Sequence, residues 1–203
     1  MSSRVLLGLL AGTLVVGAVA LRELRSNAAE PTAAERFSDK RSGCGCDGGL
    51  RPSELRLPRI RELIVCLHNE ERAQAGLPPL EYEQRLQNAA QLHAEDMVER
   101  RFFAHDTPEG LRPEDRALQA GYPAKHYSSG ENLAWGTGLE AAPVEVVDGW
   151  MHSPGHRENI LRNAFTQMGV GVVAGVPETP KDPLPGATYA VSFGGPPLPA
   201  GAP

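Results

Sequence analysis

Residues 150–161 read WMHSPGHRENIL, a stretch that sets the end of one helix, the start of another and a polar cluster between them. Ser153 followed by Pro154 is typical of an N-cap residue and a first helical position, so we predict that a short helix begins there. His156 then lies in the first turn, where the positive end of the helix dipole opposes protonation of its imidazole. The Pro-Gly pair breaks the preceding helix, so His152 and His156 do not share one helix face, and His152 is not expected to be a ligand.

Apolar residues at helical spacing predict four helices upstream, over residues 58–76, 83–103, 112–120 and 143–151, the third of them short. The first two carry the clearest apolar stripes, which are Ile60, Leu63, Ile64 and Leu67, and then Leu86, Ala90, His93 and Met97. His93 has no partner at ligand spacing, so we expect a hydrogen-bonded core histidine. Trp150 stands beside Val147 and Met151 and is also expected in the core. Arg61, Arg72 and Arg100–Arg101 are interpreted as solvated helix charges.

Strand signals gather late in the chain. MGVGVVA at residues 168–174 and ATYAVSF at residues 187–193 predict an antiparallel pair with a long connection, and a further short strand is expected at residues 130–134. Helices that come first and strands that come late indicate an α+β domain, in which helices pack on a small, mainly antiparallel sheet.

Neither end of the chain shows this patterning. Residues 5–21 carry no charge, follow Arg4 and contain a small-residue Ala-Val-Ala sequence ending at Ala20. Residues 1–21 are therefore expected to be a signal peptide cleaved after Ala20 or a retained membrane anchor, and both predict an exported chain, either secreted or attached at the outer face of the membrane. Residues 22–57 are expected to be a flexible linker and residues 196–203 a Pro/Gly-rich tail, which leaves a domain over residues 58–195.

Charge and cysteine content exclude further classes. Among 203 residues, 20 Lys and Arg stand against 25 Asp and Glu, a formal charge of −5, so no nucleic-acid partner is expected. Cys66 lies in an apolar run and is expected to be a small buried residue. A Cys44–Cys46 pairing, an intermolecular bridge and free thiols all stay open, and the domain is expected to depend on its core instead of on cysteines.

Three polar clusters carry the candidate chemistry. They place His105 after the second helix, Glu131 at the predicted strand and His156 at the start of the last helix. Two neutral imidazoles and a carboxylate suit a divalent cation, with zinc favoured by nitrogen ligands, so we predict these three residues as metal ligands if folding unites them. In the structural alternative, Glu131 caps backbone amides and the histidines satisfy buried groups.

The order of these motifs resembles the CAP superfamily, which contains cysteine-rich secretory proteins, antigen 5 and pathogenesis-related proteins, and is most similar to its bacterial SCP-like extracellular branch. The resemblance covers residues 60–194. It rests on Asn69, Glu70, Arg72, Gly76, Leu77 and Leu80 in and after the first helix, Phe103 and His105, the G-E-N of residues 130–132, the stretch at 150–161 and a closing M-G-V-G strand. It implies an α-β-α sandwich with a central cleft, which some members use to bind divalent cations.

Carried over residue by residue, the resemblance places His105, Glu131 and His156 in that cleft. Ser153 stands where eukaryotic members often have a further glutamate, so one acidic group of the family's cleft is replaced. The resemblance leaves the activity open, because members are described as lipid or sterol carriers, secreted effectors, binding modules and, in a few instances, proteases.

Three functions are compatible with such a domain. The leading one is non-enzymatic: the cleft binds a divalent cation and an unidentified small ligand, lipid or cell-envelope component, since no nucleophile is evident. The alternative is a hydrolase of peptide or cell-wall substrates, with Glu131 as general base toward metal-bound water, or with a Ser153–His156–Glu131 arrangement. No G-x-S-x-G or H-E-x-x-H motif occurs in the sequence. The third treats Glu131 and the histidines as the scaffold of a binding module.

Overall fold

The helices form where apolar periodicity predicts them. The structure is a computed structural model that describes residues 43–45, 51–54, 57–123, 127–179 and 184–197, all within one compact unit of the chain. Its helices are α1 (Leu57–Gln74), α2 (Gln84–Arg100), α3 (Pro113–Gln119), α4 (Pro143–His152) and α5 (Pro154–Leu161). The predicted apolar stripes of α1 and α2 are buried, and α5 begins at the Ser-Pro pair as expected.

A four-stranded sheet in the order β1-β3-β4-β2 lies between these helices. Its strands are β1 (Glu81–Tyr82), β2 (Tyr127–Thr137), β3 (Gln167–Ala174) and β4 (Gly186–Pro197). The predicted antiparallel pairing of β3 with β4 is confirmed, and β2 pairs antiparallel with the other side of β4. β1 pairs in parallel with β3 and has two residues, too few to produce a periodic signal in the sequence.

Alternation along the strands divides the core into two layers. Val170 and Val172 of β3, like Tyr189 and Val191 of β4, join the larger cluster with α1 and α4. Residues that alternate with these along the strands, such as Ala190, point to the other face and pack with α2. A Cβ added to Gly169 would come 2.0 Å from the backbone nitrogen of Gln87, so α2 approaches the sheet as closely as only glycine permits. Helices therefore cover both faces, which confirms the expected α-β-α sandwich.

The C-terminal boundary of the domain lies beyond the predicted one. β4 continues to Pro197, although a proline-rich tail was expected from residue 196. The pairing of β4 with β3 ends at Gly194, so the last residues of β4 have only β2 as a neighbour. A register shift also occurs there, between Tyr127 and Ser129 of β2. Prolines are tolerated at such positions because fewer ladder hydrogen bonds require a backbone donor.

A disulfide joins Cys44 to Cys66 of α1, with their Cα atoms 5.6 Å apart. The amide of Cys44 also donates to Glu70 Oε1 at 3.2 Å, and Arg59 donates to the Cys44 carbonyl at 3.1 Å. The expectation that Cys66 is a small buried apolar residue is wrong, because Cys66 is half-buried and disulfide-bonded. This pairing was not among those considered, because nothing in the sequence brings a glycine-rich segment back onto a helix 22 residues away. Cys46 lies outside the described residues.

The described helices do not include one with both the length and the apolar character needed to span a bilayer. The candidate signal peptide or anchor at residues 5–21 lies outside the described residues, as do most of the predicted linker and residues 198–203.

We predict that His68 makes the domain less stable in mild acid. It is fully buried on α1, and the centroid of its ring lies 5.5 Å from the ring centroid of Trp150 and 5.8 Å from that of Phe193. Burial lowers the pKa of His68 from 6.5 to about 4, so between these two values the unfolded chain binds a proton that the folded chain excludes. The free energy of unfolding should therefore fall as the pH drops through this window, by roughly 3 kcal/mol in total.

Urea unfolding at several pH values between 7.5 and 4 measures this dependence. His68→Leu, which cannot titrate, should show a shallower dependence, and the exposed His152→Ala should behave as the wild type. An unchanged pH dependence in His68→Leu would contradict the prediction.

We also predict that the disulfide stabilises the domain by about 3 kcal/mol, through the entropy lost on closing its loop in the unfolded chain. Cys44→Ser and Cys66→Ser should each lower the urea midpoint by the same amount, and the wild type in reductant should match them. Cys46→Ser is the control and should leave the midpoint unchanged. A loss with Cys46→Ser as large as that with Cys66→Ser would show that the pairing is different.

Candidate functional site

Glu131 on β2 is the centre of the site. Its side chain is 1% exposed, and the alternation of β2 places it on the same face as Leu133, which packs with α2. Oε1 lies 2.9 Å from His105 Nδ1, and Oε2 accepts a hydrogen bond from Arg116 Nη2 at 2.6 Å. The partners of the carboxylate are therefore side chains, and the backbone capping of the structural alternative is not found.

Arg116 of α3 connects the loop after α2 to this carboxylate through hydrogen bonds. Its side chain is 8% exposed, and its Nη1 donates to the carbonyl oxygens of His105 at 2.8 Å and Leu111 at 2.9 Å. One guanidinium therefore fixes the loop that carries His105 while it also pairs with Glu131. Sequence reasoning missed Arg116, because an arginine in the short charged segment PEDRALQ has the appearance of a solvent-exposed residue.

Electrostatics favour the charged form of His105. Its side chain is 55% exposed, and the hydrogen bond to Glu131 raises the pKa of His105 above 6.5, although desolvation and the Arg116 charge act in the opposite direction. Glu131 and Arg116 form a buried ion pair, and removing either partner would leave an uncompensated charge in the interior.

His156 lies in the first turn of α5, as predicted, but its surroundings differ from the expectation. Ser153 is the N-cap residue, yet its hydroxyl lies 2.9 Å from His156 Nδ1 and makes no capping bond to a backbone amide. Desolvation lowers the pKa of His156, and the charge of His105 lowers it further. The direction agrees with the neutral imidazole expected from the sequence, while the main cause is burial.

Polar contacts between β2 and α5 fix the position of this helix. Asn132 Nδ2 donates to the His156 carbonyl at 3.1 Å, and Asn159 Nδ2 donates to the Glu131 carbonyl at 3.2 Å. Gly130 allows this approach, since a Cβ there would come 2.9 Å from Asn159 Oδ1. The backbone of Glu131, whose side chain holds His105, is thus bonded to the helix that carries His156.

The three predicted ligands are only partly united. His105 contacts Glu131, and His156 is close enough to His105 for their charges to interact. The donor atoms of all three do not lie within 4.8 Å of one another; within the described part of the chain, the set that does is Cys44, Cys66 and Glu70, whose sulfurs form the disulfide. Because Glu131 bonds His105 and not His156, the Ser153–His156–Glu131 arrangement is not formed.

His93, Trp150 and His152, which the sequence also singled out, take no part in the site. His93 is 1% exposed with its Nε2 2.9 Å from the Ala104 carbonyl, and Trp150 is 2% exposed and donates to the Leu133 carbonyl, so both predictions of core residues are confirmed. His152 is exposed at the end of α4, with its Nδ1 2.8 Å from the Asp148 carbonyl.

The prediction that Arg72 is a solvated charge is wrong. It is fully buried and donates to the carbonyls of Pro78, Ile160, Arg162 and Phe165, which lie near the end of α1 and around the end of α5. Carbonyl oxygens at a helix end have no partner within the helix, so a buried guanidinium can satisfy several of them at once.

The sandwich fold and the cluster on β2 define a CAP domain. The profile of the cysteine-rich secretory protein family (CAP) matches residues 65–176, more than half of the chain, and the chain belongs to this family. It is 40% identical over 110 residues to YkwD of Bacillus subtilis, a match that covers 54% of this chain and 41% of YkwD.

Two solved structures are similar to the domain. An extracellular protein of Bacillus anthracis that contains an SCP domain is 28% identical, with a TM-score of 0.55 over 71% of this chain and 43% of that one. An outer surface protein of Borrelia burgdorferi shares the fold at 22% identity, with a TM-score of 0.56 over 70% of this chain and 96% of that one. The chain spans less than half the length of YkwD and of the Bacillus anthracis protein.

The two histidines should titrate on opposite sides of pH 6.5, because Glu131 favours the imidazolium of His105 and burial disfavours that of His156. An NMR pH titration of the ring signals measures both midpoints. Glu131→Gln should lower the midpoint of His105, because the hydrogen bond and the charge that raise its pKa are lost. A His105 midpoint that does not respond to Glu131→Gln would contradict the contact.

Proposed function

We propose that this CAP domain is an exported binding module in which His105 and His156 hold a divalent cation, with zinc favoured, through their Nε2 atoms. One observation carries the proposal: each histidine has an oxygen at its Nδ1, from Glu131 or Ser153, at 2.9 Å. Neither Nε2 has a hydrogen-bond partner within the described residues. Metal-binding histidines commonly have one nitrogen on the metal and the other held by an oxygen, which fixes the tautomer and the ring orientation.

In this proposal Glu131 positions His105, and its role differs from the direct ligand predicted above. Both of its oxygens are already engaged, by His105 and by Arg116. A direct bond from Glu131 to the cation would require one of these contacts to break. Two imidazoles suit zinc or a similar ion with open positions for other groups, and a ligand of the domain could supply those groups.

The hydrolase alternative has less support. Glu131 would act as a general base toward metal-bound water only if an oxygen were free, and both are bonded to side chains. The Ser153 hydroxyl lies within hydrogen-bond range of His156, as a nucleophile and base would, but no carboxylate holds the other nitrogen of His156 within the described residues. The scaffold alternative explains the buried Glu131–Arg116 pair well, but it assigns no role to the two Nε2 atoms, which lack partners within the described residues.

Export is part of the proposal. The Bacillus anthracis protein is described as extracellular and the Borrelia protein as an outer surface protein. The charge-free segment at residues 5–21 would provide a secretion signal or an anchor at the outer face of the membrane. A lipid or another cell-envelope component is therefore the class of partner that we propose for the cleft.

Isothermal titration calorimetry with zinc on the full chain tests the metal site. The wild type should bind one equivalent, and His105→Ala/His156→Ala should abolish the heat. Glu131→Gln should weaken binding by about 10- to 100-fold, the effect typical of losing a residue that orients a ligand. Binding should also weaken as the pH falls through the raised pKa of His105, since the metal and the proton compete for that ring.

His152→Ala is the matched control, because His152 is an exposed histidine close to the site that takes no part in it. It should bind zinc as the wild type does. Equal heats for the wild type and the double variant would remove the metal site. Cleavage of a peptide or cell-wall substrate that Glu131→Gln abolishes would instead favour the hydrolase.

A further inference from the structure

The Cys44–Cys66 disulfide lies beside a carboxylate that the proposed function does not use. Cys66 and Glu70 are four residues apart on α1, so their side chains leave the same face of this helix one turn apart. The two sulfurs and a carboxylate oxygen of Glu70 all lie within 4.8 Å of one another. The disulfide and the carboxylate therefore bring together three atoms of the types that bind metal ions, and none of them belongs to His105 or His156.

Two contacts that do not involve sulfur also hold Cys44 against α1. The amide of Cys44 donates to Glu70 Oε1 at 3.2 Å, and Arg59 Nη2 donates to the carbonyl oxygen of Cys44 at 3.1 Å. Reduction of the disulfide breaks the S–S bond, but it removes no atom from either hydrogen bond. The two thiols of the reduced chain should therefore stay close to each other and to Glu70.

Two thiolates and a carboxylate are a suitable ligand set for a zinc-like cation. Zinc binds thiolates in tetrahedral geometry, which places two sulfurs on one ion roughly 3.8 Å apart. The Cα atoms of Cys44 and Cys66 lie 5.6 Å apart, so rotation of the freed side chains can open this separation while the backbone stays in place. The Cys44 amide uses Glu70 Oε1, and Oε2 has no hydrogen bond in the described part of the chain. Glu70 can therefore bind an ion through Oε2 and still hold Cys44.

Burial and charge both allow an ion to enter this cluster. Cys44 is buried, whereas Cys66 and Glu70 are half-buried, so the cluster reaches the protein surface. Two thiolates and a carboxylate carry three negative charges against the two positive charges of zinc, and the Arg59 guanidinium at the Cys44 carbonyl offsets part of the difference. Thiolate ligands also select against magnesium and calcium, which prefer oxygen ligands.

We propose that Cys44, Cys66 and Glu70 form a redox-controlled site for zinc or a similar divalent cation, which exists only when the disulfide is reduced. A thiol reductant supplies two electrons and two protons, so the S–S bond becomes two S–H groups while the reductant becomes a disulfide. Binding of the ion releases both protons to solvent and leaves a fourth position for water. A disulfide oxidant reverses the process: it takes two electrons from the two thiolates, which re-forms the S–S bond and releases the ion.

Titration of the full chain with Co²⁺, a spectroscopic substitute for zinc, tests the proposal. The chain is reduced with a phosphine, freed of the reductant and kept without oxygen. It should bind one equivalent of Co²⁺ with thiolate-to-cobalt charge-transfer absorption in the near ultraviolet, and zinc should displace the cobalt. The oxidised chain should show no such absorption, because its sulfurs are bonded to each other. In the His105→Ala/His156→Ala variant, zinc should raise the urea midpoint of the reduced chain only.

Single variants test each ligand. Glu70→Gln keeps a side-chain oxygen that can accept the Cys44 amide but removes the carboxylate, so it should weaken Co²⁺ binding to the reduced chain at least about tenfold. Glu71→Gln changes the neighbouring carboxylate, which is not part of the cluster, and is the matched control that should bind as the wild type does. Cys66→Ser should abolish the charge-transfer absorption, and Cys46→Ser should retain it.

Three results would overturn the proposal. The first is a reduced chain without charge-transfer absorption, and the second is absorption that survives Cys66→Ser, since Cys44 and Cys46 would then hold the ion. The third is equal affinity in Glu70→Gln and the wild type. His105→Ala/His156→Ala should keep the absorption in full, so loss of the zinc site at the histidines would leave this site standing, and failure of this site would leave the histidine site standing.

Discussion

The buried ion pair between Glu131 and Arg116 determines how the site of this domain is built. A carboxylate that is 1% exposed needs a charged or hydrogen-bonding partner, and the guanidinium at 2.6 Å supplies both. The same guanidinium binds the His105 and Leu111 carbonyls, so the position of α3 fixes the loop after α2. The loop in turn presents His105 to the other oxygen of Glu131. One charge on the edge strand β2 therefore specifies where a helix, a loop and an imidazole must lie.

Local patterns in the sequence predicted most of the elements. The stripe of Ile60, Leu63 and Ile64 predicted α1, and β-branched runs predicted the β3–β4 pair, because periodicity is set by which face of an element is buried. Features that depend on distant contacts were missed. Arg72 donates hydrogen bonds to carbonyls about 90 residues away. Cys44 is bonded to Cys66 on α1, a contact that the glycine-rich sequence around Cys44 does not indicate. A buried arginine has the same sequence signature as an exposed one until its acceptors are known.

The distinction between local patterns and distant contacts applies to the site as well. Motif order identified His105, Glu131 and His156, and the Ser-Pro pair correctly placed His156 in a first helical turn. Motif order did not show which atom each of these side chains would contact. Glu131 was expected to bind metal or backbone, but Arg116, which the sequence did not single out, occupies one of its oxygens. The Ser153 hydroxyl was expected to cap its helix and instead holds the His156 ring. Residue types were therefore predictable, whereas hydrogen-bond partners required the fold.

Ser153 also makes the two halves of the site chemically unequal. An anionic carboxylate holds the Nδ1 of His105, and a neutral hydroxyl holds the Nδ1 of His156. A carboxylate partner strengthens an imidazole as a metal ligand, but it strengthens the affinity of that ring for a proton as well. The hydroxyl orients its ring without this effect, and burial keeps that ring neutral. With a glutamate at position 153 both rings would favour a proton, whereas with serine burial keeps the pKa of one ring lowered while Glu131 raises the pKa of the other. Serine therefore gives the cleft one negative charge fewer than a glutamate would, and its hydroxyl still contacts the His156 ring.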